Sequence, residues 1–390
     1  MLALLKYNLL SLWVRRTTAV ATTFGIALVV FVLGASQMLS TGIRQTISSA
    51  GNADQGIVMD DGAWTEASSR MDQAAVGLVA AAPGVKRNAT GQVMVTEEAV
   101  AHLMLRSLLD PSRISTLQVR GVSANVFELR PEARIIAGRA IKPGTDEALV
   151  GKAVLGRYPG LRIGERVEFS SSTKPTVVGV FEAAGSVYES EIWADFETVR
   201  RGFLFFANLS SITAQLDSAS ALDAFGTPLA ADKQAGLSVA SERAYYEKAS
   251  QGLPDVIGIL GIVETLIFSI GAVLGAMITM HASVSQRGRE IGVLRALGFG
   301  QPQILFCFVA ESAALGFAAA LVGAAACLFT PLLDFRCINF ATGQEVAFRF
   351  VPSFANLGFA ILAGTAVGAL GGLLPAIRAA RVDPVQAMRA

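Results

Sequence analysis

Four stretches of this chain are long enough, and poor enough in charge, to force a membrane fold. Thr17 to Ile43, Val256 to Gln286, Pro302 to Leu333 and Phe350 to Ile377 each exceed the roughly 20 helical residues that cross about 30 Å of hydrocarbon. Inside them the only acids are Glu264, in the second run, and Glu311, in the third. With 390 residues, 52% of them hydrophobic and 16% charged, and a mean hydropathy of +0.51, the chain is too apolar for an ordinary soluble protein. The first run is longer than the core of a signal peptide and no obvious small-x-small cleavage site follows it. It is therefore expected to stay as the first of four transmembrane helices.

Orientation follows from Lys and Arg in the short flanking segments. Lys6, Arg15 and Arg16 precede the first run, Arg287, Arg289 and Arg295 separate the second from the third, and Arg378, Arg381 and Arg389 follow the fourth. Only Glu290 and Asp383 oppose these groups. In the connection between runs three and four, Asp334 and Glu345 balance Arg336 and Arg349. Both termini and the charged connector are expected in the cytoplasm, and residues 44–255 outside it. The net charge of +1, with no basic stripe apart from these clusters, argues against a nucleic-acid partner.

The expected organisation is a cytoplasmic interfacial helix (1–16), transmembrane helix 1 and the start of a stalk (17–43), and an extracytoplasmic α+β domain (44–255) inserted between helices 1 and 2. Helix 2 (256–284), a cytoplasmic connector (285–301), helix 3 (302–333), a short outer loop (334–349), helix 4 (350–377) and a cytoplasmic tail (378–390) complete it. Within the domain, helices are predicted over Ser68–Ala82, Gly151–Tyr158, Asp195–Phe206 and Leu222–Ala231, and Ser241–Gly252 reads as a second stalk. Alternation and Gly/Pro/Ser/Asp punctuation predict strands at Gly56–Asp60, Gln92–Glu97, Leu117–Val122, Glu147–Val150, Arg166–Ser170, Thr176–Phe181 and Ser210–Leu216. Its cysteine-free sequence must fold on its own core, since Cys307, Cys327 and Cys337 all lie elsewhere.

The connector is more elaborate than a link between two spans requires. From Arg289 to Leu297, Ile291, Val293, Leu294 and Leu297 recur at roughly helical spacing while Arg289, Glu290 and Arg295 supply polar faces, and Gly298 stands where a C-terminal glycine belongs. A helix both charged and apolar is built to dock on something, either a protein partner or the lipid surface. Gly271 with Gly275, and Gly364 with Gly368 and Gly372, have the spacing that lets helices approach closely, within one chain or across a dimer. Glu264 and Glu311 must face protein, water or a partner; a proton relay or substrate contact is the functional reading, and an interfacial position is the plain one for Glu264. His102 and His281 have no ligand at metal-binding spacing, so no metal site is expected. There is no G-x-x-x-x-G-K-[ST] phosphate loop, no G-x-S-x-G, and no nucleophile, base and orienter that can be assembled.

Three segments resemble a known family, the ABC transporter permeases of the MacB, LolC/LolE and FtsX type, including DevC-like stand-alone permeases. Arg289-Glu-Ile-Gly-Val-Leu-Arg-Ala-Leu-Gly298 is similar to the family's cytoplasmic connector, and Pro375 to Arg389 to its C-terminal tail. Gly138 to Phe181, with its Gly-Arg, Leu-Arg-Ile-Gly-Glu-Arg-Val and Val-Val-Gly-Val-Phe pieces, looks like its periplasmic domain. The resemblance implies a non-catalytic permease in a bacterial cytoplasmic (inner) membrane. It works with a second permease copy, a homodimer before a heterodimer, and with two copies of a separate ABC ATPase that bind ATP and Mg, this chain holding no cofactor. It further implies a coupling helix whose Arg289, Glu290, Ile291, Leu294 and Arg295 touch the ATPase. Nucleotide-driven closure then moves the stalks and outer domain by mechanotransmission, exporting or extracting a substrate, with a periplasmic adaptor as an optional partner. A transmembrane transmitter that switches a cell-wall hydrolase or sensor kinase, without transport, fits the same residues.

Overall fold

The computed structural model describes residues 16–203, 208–250, 253–333, 335–338 and 345–382. The interfacial helix expected over residues 1–16 and the end of the tail fall outside these residues, apart from Arg16 itself. In chain order the helices are α1 (Arg16–Ser48), α2 (Ala74–Ala81), α3 (Val126–Leu129), α4 (Phe196–Phe203), α5 (Leu222–Ala231), α6 (Glu242–Ser250), α7 (Leu253–Gln286), α8 (Gly288–Ala296), α9 (Gln301–Cys327) and α10 (Phe354–Ala380). The strands are β1 (Gln55–Asp60), β2 (Val95–Arg106), β3 (Ile114–Val122), β4 (Ala133–Gly138), β5 (Glu147–Gly151), β6 (Thr176–Ala183), β7 (Glu191–Asp195), β8 (Ser211–Gln215), β9 (Leu237–Ser241), β10 (Phe335–Ile338) and β11 (Glu345–Phe348). They form two compact units: the chain up to Thr41 with Pro254–Leu333 and everything from Phe350, and Gly42–Leu253 with Asp334–Arg349.

The first unit is a helical bundle in which α1, α7, α9 and α10 are each long and apolar enough to span a membrane. The protein is a multi-pass membrane protein. Lipid supplies no hydrophobic drive between helices, so they associate through small residues. The seam of α9 with α10 shows how: a Cβ on Gly316 would lie 2.9 Å from the Gly368 Cα, and one on Gly368 would lie 2.6 Å from the Gly316 Cα. Close approach also lets the Ser312 hydroxyl on α9 donate to the Gly368 carbonyl (2.5 Å). On α1, Ile26, Val29, Val30 and Leu33 join Ala319, Ala320 and Ala324 of α9 in one apolar cluster.

The second unit is built on a nine-stranded sheet in the order β4-β6-β5-β7-β3-β2-β8-β1-β9, covered by short helices. It is mixed: β3–β7 and β5–β6 are parallel and the other pairs antiparallel. Alternation along the β2–β3 hairpin sets one face, where Ala101 lies opposite Val119 and Leu103 opposite Leu117. These four join Ala148, Val150, Ile192, Ala194 and Val199 in a buried apolar core. Gln118 and Arg120 point to the other face and are buried as well.

Three local expectations are corrected. The helix predicted over Ser68–Ala82 is a 3-10 turn (Glu66–Ser68) and then α2, because the intervening chain is extended and the Met71 amide donates to the Leu209 carbonyl (2.9 Å). Gly151–Tyr158 forms turns instead of a helix; Gly156 at φ +65 and Gly160 at φ +77 bend the chain so that Val154, Tyr158 and Leu161 all enter the core. Arg166–Ser170 contributes a single bridge to Thr176, not a strand. In addition, β4, β7 and β9, the extension of β2 to Arg106, and the β10–β11 hairpin inside the expected loop 334–349 were not anticipated.

Candidate coupling site

The short helix α8 sits among the ends of three spans and is fastened to them by three kinds of contact. Its C-terminus closes in a Schellman motif: Gly298 adopts φ +94, its amide donates to the Arg295 carbonyl (3.1 Å), and the Phe299 amide donates to the Leu294 carbonyl (3.2 Å). Glu290 in the first turn and Arg295 in the last both complement the helix dipole.

At the entry, Arg287 carries a buried guanidinium, with its side chain 7% exposed. It donates through Nη1 to Glu311 Oε2 on α9 (3.3 Å) and through Nε to Glu290 Oε2 (3.2 Å), and its Cζ lies 5.8 Å from the centre of the Phe308 ring. The acid in the third span is thus neutralised by an arginine 24 residues earlier. Removing one partner of such a pair strands the other in low dielectric, so the contact acts as a strong positional constraint. In the middle of the helix, Ile291 is buried with Met280 and Val284 of α7, Ile304 and Phe308 of α9, and Ala376, Ala379 and Ala380 of α10. At the exit, Arg295 donates through Nη1 to the Ala380 carbonyl, one of the last acceptors of α10.

The five residues expected to meet an ATPase therefore divide. Ile291 is used up inside the chain and Leu294 is half-buried, while Arg295 is half-buried and engaged on α10. Arg289 and Glu290 are exposed, and the outward apolar surface is Val293, 45% exposed, with Leu297, 73% exposed. Val293 and Leu297 belong to the periodic pattern but not to the expected contact set, because spacing alone does not say which side of a helix its own chain covers. Arg287 has only a topological role in the sequence, where nothing local signals its pairing with Glu311.

The glycines divide too. Gly364, Gly368 and Gly372 meet α1 and α9, where added Cβ atoms would come within 2.4 Å of Val30, 2.6 Å of Gly316 and 2.4 Å of Ser312. A Cβ added to Gly271 or Gly275 would meet none of the described residues of other elements within 4 Å. On α7 the glycine in close contact is Gly261, whose Cβ would lie 2.4 Å from that of Ser36 on α1. Glu264 is exposed and stands on the same helical stripe as Gly271 and Gly275, seven and eleven residues earlier on the helix.

Residues 17–231 match the family model of the MacB-like periplasmic core domain, and residues 262–384 match that of the FtsX-like permease C-terminal domain. The chain is 25% identical to the uncharacterized ABC transporter permease YvrN of Bacillus subtilis, across 95% of this chain and 94% of YvrN. It is 26% identical to the macrolide export ATP-binding/permease protein MacB of Vibrio parahaemolyticus over 70% of this chain, which spans only 43% of that longer protein. Among solved structures, the extracellular domain of the noncanonic ABC-type transporter YknZ from Gram-positive bacteria aligns with 48% of this chain and all of that domain, at 15% identity and a TM-score of 0.36. With one family model covering more than half of its length and a second covering the last three spans, the chain belongs to the MacB-like, FtsX-type family of ABC transporter permeases.

Proposed function

We propose that this chain is the permease half of an ABC transporter of the mechanotransmission kind, and that α8 is its coupling helix. One observation carries the reading: α8 is pinned to α7, α9 and α10 by Ile291, Arg287 and Arg295, while Arg289, Glu290, Val293 and Leu297 face outward. A force applied to the outward side reaches three spans at once. The partner is a separate ATPase in two copies, which binds ATP and Mg, and a second permease copy completes the assembly. On this reading α8 and both termini face the cytoplasm and the inserted domain lies beyond a bacterial cytoplasmic membrane. Hydrolysis moves that domain to export or extract a substrate, with an adaptor as an optional further partner.

The test is co-purification with the ATPase alongside stimulated hydrolysis. An apolar interface anchor costs about 2 kcal/mol or more on truncation, roughly 30-fold in affinity. Leu297→Ala should therefore strip the ATPase from a folded permease, and Val293→Ala should weaken it less. Normal partner binding and normal activity in Leu297→Ala, Val293→Ala and Arg289→Glu together would remove α8 from this role. Orientation is checked by labelling cysteines placed at the exposed positions Ser171 and Ser285, the first accessible from outside the cell and the second from inside only.

A further inference from the structure

The face of the sheet opposite the apolar core is polar, charged and closed off from water. Arg120, in the middle of β3, donates to Glu191 on β7 (2.9 and 3.0 Å), to Glu66 in the 3-10 turn (2.7 and 3.1 Å) and to Glu98 on β2. Arg130, directly after α3, donates to Glu98 and to Glu242, the first residue of α6 (3.1 Å). None of these six side chains belongs to a residue more than 4% exposed. Four carboxyl groups thus share two guanidinium groups, and full ionisation would leave an excess of negative charge with no solvent to screen it.

The neighbours of Glu242 make it the weakest point of the cluster. Besides Arg130 it accepts from the Tyr188 hydroxyl (2.9 Å), which in turn accepts from Tyr246 on α6 itself (3.0 Å), and from the Asn52 amide (3.4 Å). The charge of Glu98 faces it from β2. The strands β1 and β9, against which α6 packs, add only Asp60, which the register places at the end of β1 away from Glu242. By contrast Glu191 is held by Arg120, Gln118 (2.8 Å) and Trp193 (2.8 Å), and Glu66 by Arg120 and Ser211 (2.7 Å). Burial pushes the Glu242 carboxyl up to about 6, with Glu98 adding to it and Arg130 and Tyr188 pulling back. Burial raises Glu191 in the same direction. For Glu66 burial is outweighed by Arg120 and Ser211, and its carboxyl lies below the usual range.

We propose that this cluster is a proton-binding site centred on Glu242, and that proton uptake there fastens α6 to the sheet. The sign follows from linkage. A carboxyl raised above its ordinary value of 4.5 binds its proton more tightly in the docked state, so docking is firmest in mild acid and weakens as pH rises through about 6. Glu66, shifted the other way, opposes this only below about 4.5, outside the window.

The experiment is hydrogen exchange of the α6 amides in the full chain in lipid nanodiscs, corrected for the intrinsic pH dependence of exchange. Protection is expected to be about eightfold greater at about pH 5 than at about pH 7.5, the ratio set by a rise of about 1.5 in pKa. Glu242→Gln, which resembles the protonated acid, should keep α6 protected and flatten the dependence. A wild-type profile that does not change with pH, or a variant that keeps the wild-type dependence, overturns the proposal. Should Glu242→Gln fail to fold, the infrared spectrum of the wild-type chain decides. A carboxylic-acid band of an apolar environment should vanish as pH is raised through about 6, and its absence at about pH 5 overturns the proposal equally.

Discussion

The span α7 and the pair α9–α10 carry the same vocabulary, an acidic residue and glycines four apart, and use it in opposite ways. On α9 and α10, Glu311 is buried against Arg287, and Gly316, Gly364, Gly368 and Gly372 bring backbones into contact. On α7, Glu264 is exposed, a Cβ added to Gly271 or Gly275 would meet none of the described residues of other elements within 4 Å, and only 11% of the most apolar window is buried, against 44% for α9. The difference teaches that small-residue spacing states a capacity for close approach, while the surrounding helices decide whether one chain satisfies it. A carboxylate exposed along a span is costly in hydrocarbon, so the side of α7 that carries Glu264 is where a substitution separates packing inside the chain from packing outside it.

Three substitutions break or sharpen that contrast. The largest effect is expected for Arg287→Ala, which removes a buried charge partner of Glu311 and should cost about 3–5 kcal/mol, with Glu311→Gln in the same chain recovering part of it. Thermal unfolding in detergent measures both, and an unaltered melting temperature for Arg287→Ala would show that the pair is not a constraint. Next comes Gly368→Val, where the new atoms meet the Gly316 backbone instead of a movable side chain. Overpacking of this kind costs about 3 kcal/mol, so most of the chain should fail to extract in folded form. Smallest is Gly271→Leu, alone or with Glu264→Gln: the single chain should change by less than about 0.5 kcal/mol, and any loss should appear in the mass of the assembly. A destabilised monomer would mean that this stripe packs within its own chain, and an assembly unaffected by both changes that it faces no second copy.

The spans and α8 were legible because they rest on local signals: runs without charge, and a glycine after a periodic helix. Their lateral contacts were not. Arg287 and Glu311 lie in different elements, and only the fold shows that the first closes the charge of the second. The buried polar layer was illegible for a related reason. Arg120 and Glu98 sit on strands where polar positions alternate with apolar ones such as Ala99, Ala101, Leu117 and Val119, which reads as one wet face of a half-buried sheet. Here the wet face is covered by Glu66, Tyr188 and α6, which come from distant parts of the sequence. The strands β4 and β7 escaped for the opposite reason, since charges at Arg134, Glu191 and Asp195 broke the alternation that marks a strand.

The nine-stranded sheet is open, so its outermost strand could in principle accept a stranger. At β4 the pairing with β6 shifts between Ile135 and Ala137, a bulge that twists the strand away from flatness. Arg134, with its side chain 76% exposed, keeps a charge on that rim through its pair with Glu182. The bulge and the charge together make this rim a poor template for edge-to-edge pairing, and a domain whose sequence holds no cysteine has that protection without a disulfide.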